Sequence, residues 1–217
     1  MDFAVARLNM VKKQIQPWGV LDEQLLKLFM SCPRENFVPE NYQALAYADT
    51  QIPLGHGQLM LEPKIIARSI AALKLTGKEH VLEIGTGSGY LTYLLAKLSR
   101  SVTSVELNKS LATQANHRLA TLGILNTEII CGSALNVLQG AKAFDAVILT
   151  GSVTDLPRGL AYKTKYGGVL FAIIGSRPVM HACIFTRINE DEWSKTNLFE
   201  TVAPPLEEIK NAATFEF

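Results

Sequence analysis

The chain is short of net charge, of cysteine and of long apolar runs, and each shortage removes a class of protein. Across 217 residues, 21 Lys plus Arg oppose 20 Asp plus Glu, leaving a formal charge of +1. That balance supplies no general electrostatic pull toward nucleic acid or an anionic membrane, so neither is expected as a partner. Cys32, Cys131 and Cys183 are odd in number and widely spaced in apolar surroundings. They read as reduced, buried structural thiols rather than a disulfide framework, and no His/Asp arrangement marks Cys131 as a nucleophile. His80, His117 and His181 form no compact ligand pattern with these cysteines, so no metal site is expected. Trp18 and Trp193 lack an interleaved basic cluster and read as hydrophobic anchors rather than base-stacking residues. No stretch approaches the ~18 uninterrupted apolar residues of a membrane span. The start, Met1-Asp2-Phe3-Ala4-Val5-Ala6-Arg7, is broken by charge and lacks the sections of a secretory signal, which makes the cytoplasm the expected location.

What is present is enough apolar material for one core: 48% of residues are hydrophobic, and a chain of this length buries roughly 70% of its extended surface. Residues 1–75 read as a helical extension carrying a substrate-side loop, and residues 76–217 as the main domain. In the extension Ala4, Leu8, Val11 and Ile15 share a helical face that ends near Pro17 and Gly19. Asp22 caps a second helix with Leu25, Leu26, Phe29 and Met30 as its stripe. Between Asp49 and Pro63, Pro53, Gly55 and Gly57 argue against a helix or a central strand. Pro63 then suits the first turn of a helix carrying Ile65, Ile66, Ser69, Ile70 and Leu73.

From His80 onward strands and helices alternate. Strands are predicted at 80–84, 101–106, 127–131, 145–150 and 168–174, with helices over 90–98 and 109–122, the pattern of a parallel sheet covered on both faces. The last quarter departs from it. Val179 to Ile188 and Trp193 to Phe199 are separated by Asn189-Glu190-Asp191-Glu192, too short for a crossover helix, so an antiparallel edge hairpin is predicted. Ala203-Pro204-Pro205-Leu206 reads as a short connector.

The chemistry concentrates at Glu83-Ile84-Gly85-Thr86-Gly87-Ser88-Gly89-Tyr90, where closely spaced glycines follow a strand and open a helix. Missing side chains let the loop backbone approach a ligand, and the helix start offers amide donors. The spacing GxGxG, rather than GxGxxG, favours a small nucleoside cofactor over a dinucleotide. Glu106 ends the next strand, about 20 residues on, where an acid accepts hydrogen bonds from both ribose hydroxyls. Its structural alternative is capping the following helix. Glu83 suits either the amino end of the cofactor or bracing of the turn.

These features, with Val38-Pro39, Ala46-Tyr47-Ala48-Asp49, Ile52-Pro53-Leu54-Gly55-His56-Gly57-Gln58, Phe144 through Thr150 and Gly167-Gly168, resemble the protein-L-isoaspartate O-methyltransferase family of class I S-adenosylmethionine-dependent methyltransferases. The resemblance covers nearly the full length. It implies an α/β, Rossmann-like fold with a seven-stranded, mostly parallel sheet, an antiparallel edge hairpin and an N-terminal helical extension. It also implies S-adenosylmethionine as cofactor, S-adenosylhomocysteine as product, and methyl transfer to an isoaspartyl carboxylate in peptides or proteins, the first step of damaged-protein repair. The cofactor-side candidates are Glu83, Gly85, Thr86, Gly87, Ser88, Gly89, Glu106, Leu107, Ser133, Ala134 and Thr150. Ile52, Pro53, Leu54, Leu59 and Leu61 form the substrate-side loop. Gln58, by resemblance, and His56, as a titrating loop residue, are candidates for acting on the acceptor; a loop-bracing amide and a solvent-facing imidazole are their alternatives.

Two departures stand out. The family's loop resembles Gly-Gln-Thr-Ile-Ser-x-Pro, whereas this chain has Gly57-Gln58-Leu59-Met60-Leu61-Glu62-Pro63. Leucine at 59 and 61 offers no donor for the acceptor carboxylate. Cys131-Gly132-Ser133 stands where the family commonly has Gly-Asp for the adenine amino group, leaving Ser133 as either a shorter acceptor or a local turn cap. Besides isoaspartyl methylation, the sequence therefore allows methylation of another protein or an unidentified small-molecule acceptor, or a non-catalytic S-adenosylmethionine-binding or protein-interaction module. Nothing in it fixes an oligomeric state.

Overall fold

The computed structural model describes residues 2–140 and 142–207; the end of the expected main domain, 208–217, lies outside them. Asp2 opens helix α1 (Phe3–Met10) by accepting from the Ala4 and Val5 amides at 2.9 and 3.2 Å. The chain winds on through a π turn, Val11–Ile15, and a 3-10 turn, Gln16–Trp18, and stops at Gly19 with φ +82°. Asp22 caps α2 (Glu23–Ser31) through the Leu25 amide at 2.7 Å. Two 3-10 turns follow, Arg34–Phe37 and Glu40–Leu45. Arg7 ties α1 to them: its Nη2 pairs with Glu35 at 3.0 Å and its Nε donates to the Tyr47 hydroxyl at 2.8 Å. That hydroxyl in turn donates to Glu35.

The proline- and glycine-rich segment is a two-stranded antiparallel hairpin outside the main sheet, β1 (Ile52–Gly55) and β2 (Gln58–Met60). Its turn takes three successive left-handed residues, Gly55, His56 and Gly57, at φ +88°, +54° and +74°. A third helix, α3 (Pro63–Leu73), has Pro63 in its first turn and ends at Lys74 in the left-handed conformation.

The main sheet contains β3 (His80–Ile84), β4 (Ser101–Glu106), β5 (Thr127–Cys131), β6 (Phe144–Val153), β7 (Thr164–Ser176), β8 (Val179–Arg187) and β9 (Trp193–Thr201). The order across it is β5-β4-β3-β6-β7-β8-β9. Pairing is parallel from β5 to β7, and β8 and β9 run antiparallel, forming the expected edge hairpin. Helices α4 (Tyr90–Leu98), α5 (Lys109–Thr121), α6 (Ala134–Val137) and α7 (Arg158–Ala161) connect the parallel strands. Successive strand residues point to opposite faces. Val81 and Ile148 join the core that holds Met10, Phe29 and Ile70, while Leu82, Val147 and Leu149 join a second core with Leu160 and Leu170. Among the described residues no helix is long and apolar enough to cross a membrane.

Two expectations require correction. Cys131 is exposed, while Cys32 and Cys183 are buried: β5 is the outer strand of the sheet, so its last side chain meets solvent. The 203–206 segment is also more than a connector. The Ser152 amide donates to the Pro204 carbonyl oxygen at 2.8 Å, and the Leu206 amide donates to the Ser152 carbonyl oxygen at 2.9 Å. The segment thereby pairs with the end of β6, a partner too distant in sequence for local pattern to reveal.

Candidate active site

The chain leaves β3 for β4 and β5 on one side, then returns to β6 on the other side of β3. This reversal opens a crevice at the carboxyl ends of the central strands, the place where open α/β sheets bind ligands. The glycine loop lies there. Gly85 donates its amide to the Val105 carbonyl oxygen at 2.8 Å and takes φ +96°. A side chain on Gly85 would collide with the Thr150 hydroxyl, and one on Gly89 would stand 3.1 Å from the Ala115 methyl. Both glycines are therefore required by conformation and by close approach.

Glu106 is nearly buried, 6% exposed, at the end of β4. One carboxylate oxygen accepts from the Gly87 amide at 2.8 Å and the other from the Asn108 amide at 2.9 Å. Asn108, not Glu106, caps α5, accepting from the Ser110 and Leu111 amides at 2.9 and 3.1 Å. Each Glu106 oxygen retains a second acceptor direction.

Glu83 is fully buried at the other side of the loop. Its Oε2 accepts from the Thr92 hydroxyl at 2.5 Å and the Ser104 hydroxyl at 2.7 Å, while its Oε1 has no hydrogen-bond partner. Burial pushes its pKa up to about 8; the Thr92 and Ser104 bonds oppose the shift and nearby Glu106 adds to it. At neutral pH the carboxyl of the unliganded protein is therefore largely protonated.

Glu83 and Glu106 line one cavity of about 210 Å³. Gly85, Thr86, Gly87, Ser88, Leu107 and Thr150 line it too, and the β1–β2 hairpin covers it with Leu54, His56, Gln58 and Leu59, joined by Leu61 just after β2. Leu54 reaches over the loop, its Cδ1 lying 3.2 Å from where a Cβ on Gly87 would stand. The hairpin therefore brings its leucines and its two polar residues to the same cavity as the glycine loop. His56 is exposed and Gln58 half-buried.

Other expected residues stand elsewhere. Ile52 is fully buried in the core and Pro53 is partly buried, and neither lines the cavity. Ala134 is buried in the second core, and Ser133 precedes α6 outside the lining. Gly89 serves the fold as the left-handed residue before α4. Thr150 lines the cavity, yet its hydroxyl is directed at the Ile84 and Gly85 carbonyl oxygens, at 2.9 and 2.8 Å, and so braces the loop. Sequence reading missed Asn108 and the wall formed by Pro204, Pro205 and Leu206. Asn108 was detectable as the first capping residue after β4; the prolines carried no local signal.

Comparison with known proteins finds relatives over most of the chain. The family model for protein-L-isoaspartate(D-aspartate) O-methyltransferase matches residues 6–209. The chain is similar to a protein-L-isoaspartate O-methyltransferase of Syntrophus aciditrophicus, 40% identical over 198 residues that cover 90% of this chain and 91% of the relative. It is likewise similar to one from Geobacter metallireducens, 39% identical over 177 residues and 82% of each chain. In fold it resembles a crystal structure from Plasmodium falciparum, described as a putative protein-L-isoaspartate O-methyltransferase in complex with S-adenosyl-L-homocysteine. The TM-score is 0.79 at 22% identity, covering 96% of this chain and 99% of that one.

Proposed function

The chain belongs to the protein-L-isoaspartate(D-aspartate) O-methyltransferase family, and on that premise we propose that it methylates a peptide or protein carboxylate, using S-adenosylmethionine. The observation that carries this reading is the shared cavity: two acids flank the glycine loop on the floor, and the β1–β2 hairpin faces them. The residues fit the cofactor. The partnerless Oε1 of Glu83 suits its ammonium group, Glu106 its ribose hydroxyls, and the glycine backbone permits close approach. The S-adenosyl-L-homocysteine complex recorded for the Plasmodium falciparum protein supports the choice of cofactor.

When bound, the cofactor supplies a methyl group on a sulfonium centre, open to direct displacement. An acceptor carboxylate is already ionised near neutral pH and needs no general base. The chain's work is then alignment and exclusion of water. Leu54, Leu59 and Leu61 on one side and Pro204, Pro205 and Leu206 on the other give the acceptor end apolar walls. Transfer from a sulfonium to a carboxylate cancels two opposite charges, so a site of low polarity favours the transition state over the separated ions. Gln58 is the candidate donor for positioning the carboxylate. His56, exposed at the hairpin turn and lining the cavity, is the second candidate on the acceptor side.

The test is labelled methyl transfer to an isoaspartyl peptide beside its normal aspartyl counterpart, coupled to a calorimetric titration of the cofactor. Selective labelling of the isoaspartyl peptide is expected; cofactor binding without labelling would reject the repair assignment. Leu59 and Leu61 support a second reading, in which the acceptor is a different, more apolar protein group or small molecule. Turnover on an acceptor panel, with none on isoaspartyl peptide, would favour it.

A further inference from the structure

Arg34 takes no part in the chemistry above, yet it is completely buried at the start of the 3-10 turn Arg34–Phe37. Burial lowers its pKa, though it stays a cation at any ordinary pH. Its Nη2 donates to the Leu61 carbonyl oxygen at 2.8 Å. Its guanidinium carbon lies 4.7 Å from the centre of the Tyr90 ring. Beyond these contacts the cation is poorly compensated. Nε and Nη1 have no partner in good hydrogen-bond geometry, and the nearby Tyr90 hydroxyl and the Glu62 charge offset only part of the desolvation. Among the described residues no carboxylate forms an ion pair with it.

Burying an unpaired cation is costly, and an apolar side chain of similar length would fill the space without that cost. What Arg34 does that an apolar residue cannot is hold one particular carbonyl. Leu61 belongs to the acceptor wall of the cavity, and Tyr90 is the first residue of α4, directly after the glycine loop. The rings of Phe29 and Phe37 pack on Tyr90 with centroids at 6.4 and 5.4 Å, so the platform beneath the guanidinium is itself fixed. Arg34 thus bridges a segment on the acceptor side and a segment on the cofactor side.

We propose that Arg34 is a positioning residue that pins the Leu61 stretch to Tyr90 and thereby sets the spacing between the acceptor wall and the cofactor loop. Its significance for catalysis rests on the reading of Leu61 as acceptor wall, but its mechanical role does not.

The test compares Arg34→Met, which keeps length and loses donors and charge, with Arg34→Lys. Hydrogen exchange in the unmodified full chain and both variants is the first readout. In R34M, exchange over residues 57–62 is expected to accelerate about tenfold or more, while β3, β4 and β6 keep their protection. R34K, which can still donate but cannot lie flat on Tyr90, should fall between, and it carries the same comparison if R34M does not fold. The second readout is kinetic: KM for the isoaspartyl peptide rises about tenfold with a smaller change in kcat, and the S-adenosylmethionine Kd stays within about twofold. Unchanged exchange at 57–62, or an acceleration spread equally over β3 and β6, overturns the proposal. If the unmodified chain does not methylate the peptide, the acceptor assignment falls and the exchange data alone decide the role of Arg34.

Discussion

The Thr150 hydroxyl occupies the space that a side chain on Gly85 would need, and it holds the Ile84 and Gly85 carbonyl oxygens at 2.9 and 2.8 Å. The end of β6 therefore moulds the cofactor loop leaving β3. One proton cannot satisfy two carbonyls fully, so the bond is shared between them, and it adds to the hold that Val105 and Glu106 have on the loop through the Gly85 and Gly87 amides.

Replacing Gly85 with Ala should cost about 2–4 kcal/mol of stability, because a left-handed backbone at φ +96° and a steric collision act together. Cofactor binding should be lost in parallel. The double variant G85A/T150A removes the collision but not the backbone strain, so part of the stability should return. Urea denaturation of the two single variants and the double variant checks this; purely additive effects would show that the two residues are not coupled.

Glu106→Ala should raise the Kd for S-adenosylmethionine about 10- to 100-fold, the range for losing hydrogen bonds to a charged group. Part of that loss is indirect, because Glu106 also accepts from the Gly87 amide and so shapes the loop. Glu106→Gln keeps one acceptor oxygen and should fall between. Calorimetry on both variants decides the matter: an unchanged Kd in E106A counts against the ribose assignment.

The core of the fold was legible because its signals are local. The short apolar run opening into Gly85, Gly87 and Gly89 gives β3 and the start of α4 directly, and Asn189 to Glu192 is too short for anything but a reversal. The site was legible where it follows strand ends, as at Glu83 and Glu106. It was not legible where pairing is distant. Pro204 and Leu206 become a cavity wall only through Ser152, and Arg34, set between Pro33 and Glu35, carries no sequence sign of burial. The β1–β2 hairpin was hidden for another reason: its turn places His56, which is not glycine, in a left-handed conformation that local pattern does not suggest.

The raised pKa of Glu83, about 8, makes the unliganded protein's stability depend on pH. A carboxyl whose folded pKa lies above its unfolded value stabilises the fold fully below the unfolded value, near ~4.3, and loses that contribution as pH rises through the folded value. The unliganded chain should therefore lose on the order of 5 kcal/mol between roughly pH 4.5 and 8.5 from this group. A cationic ammonium beside Oε1 favours the ionised form, so cofactor binding should release a proton, and affinity should rise with pH up to about 8. Calorimetry in buffers of different ionisation enthalpy measures the proton count. Glu83→Gln should bind more weakly, with no such pH dependence; an equal slope in E83Q would assign the titration to another group.

Leu59 and Leu61 decide between the two acceptor readings, and they differ in how they can be tested. Leu61 is buried, 8% exposed, so a polar replacement there also leaves a cavity and should cost about 2–3 kcal/mol of stability. Leu59 is half-buried and pairs with Pro53 across the hairpin, so Leu59→Thr is the milder probe. A hydroxyl beside the acceptor carboxylate adds a hydrogen bond to a charged group, which should lower KM for isoaspartyl peptide about tenfold. The same bond stabilises the ionised ground state more than a transition state in which charge is disappearing, so kcat should fall. Steady-state kinetics of L59T against the unmodified chain separates these effects. A lower KM with a lower kcat supports a carboxylate acceptor in a leucine-walled site. Loss of activity toward an apolar acceptor, with no gain toward isoaspartyl peptide, would mean that the leucines recognise a different substrate.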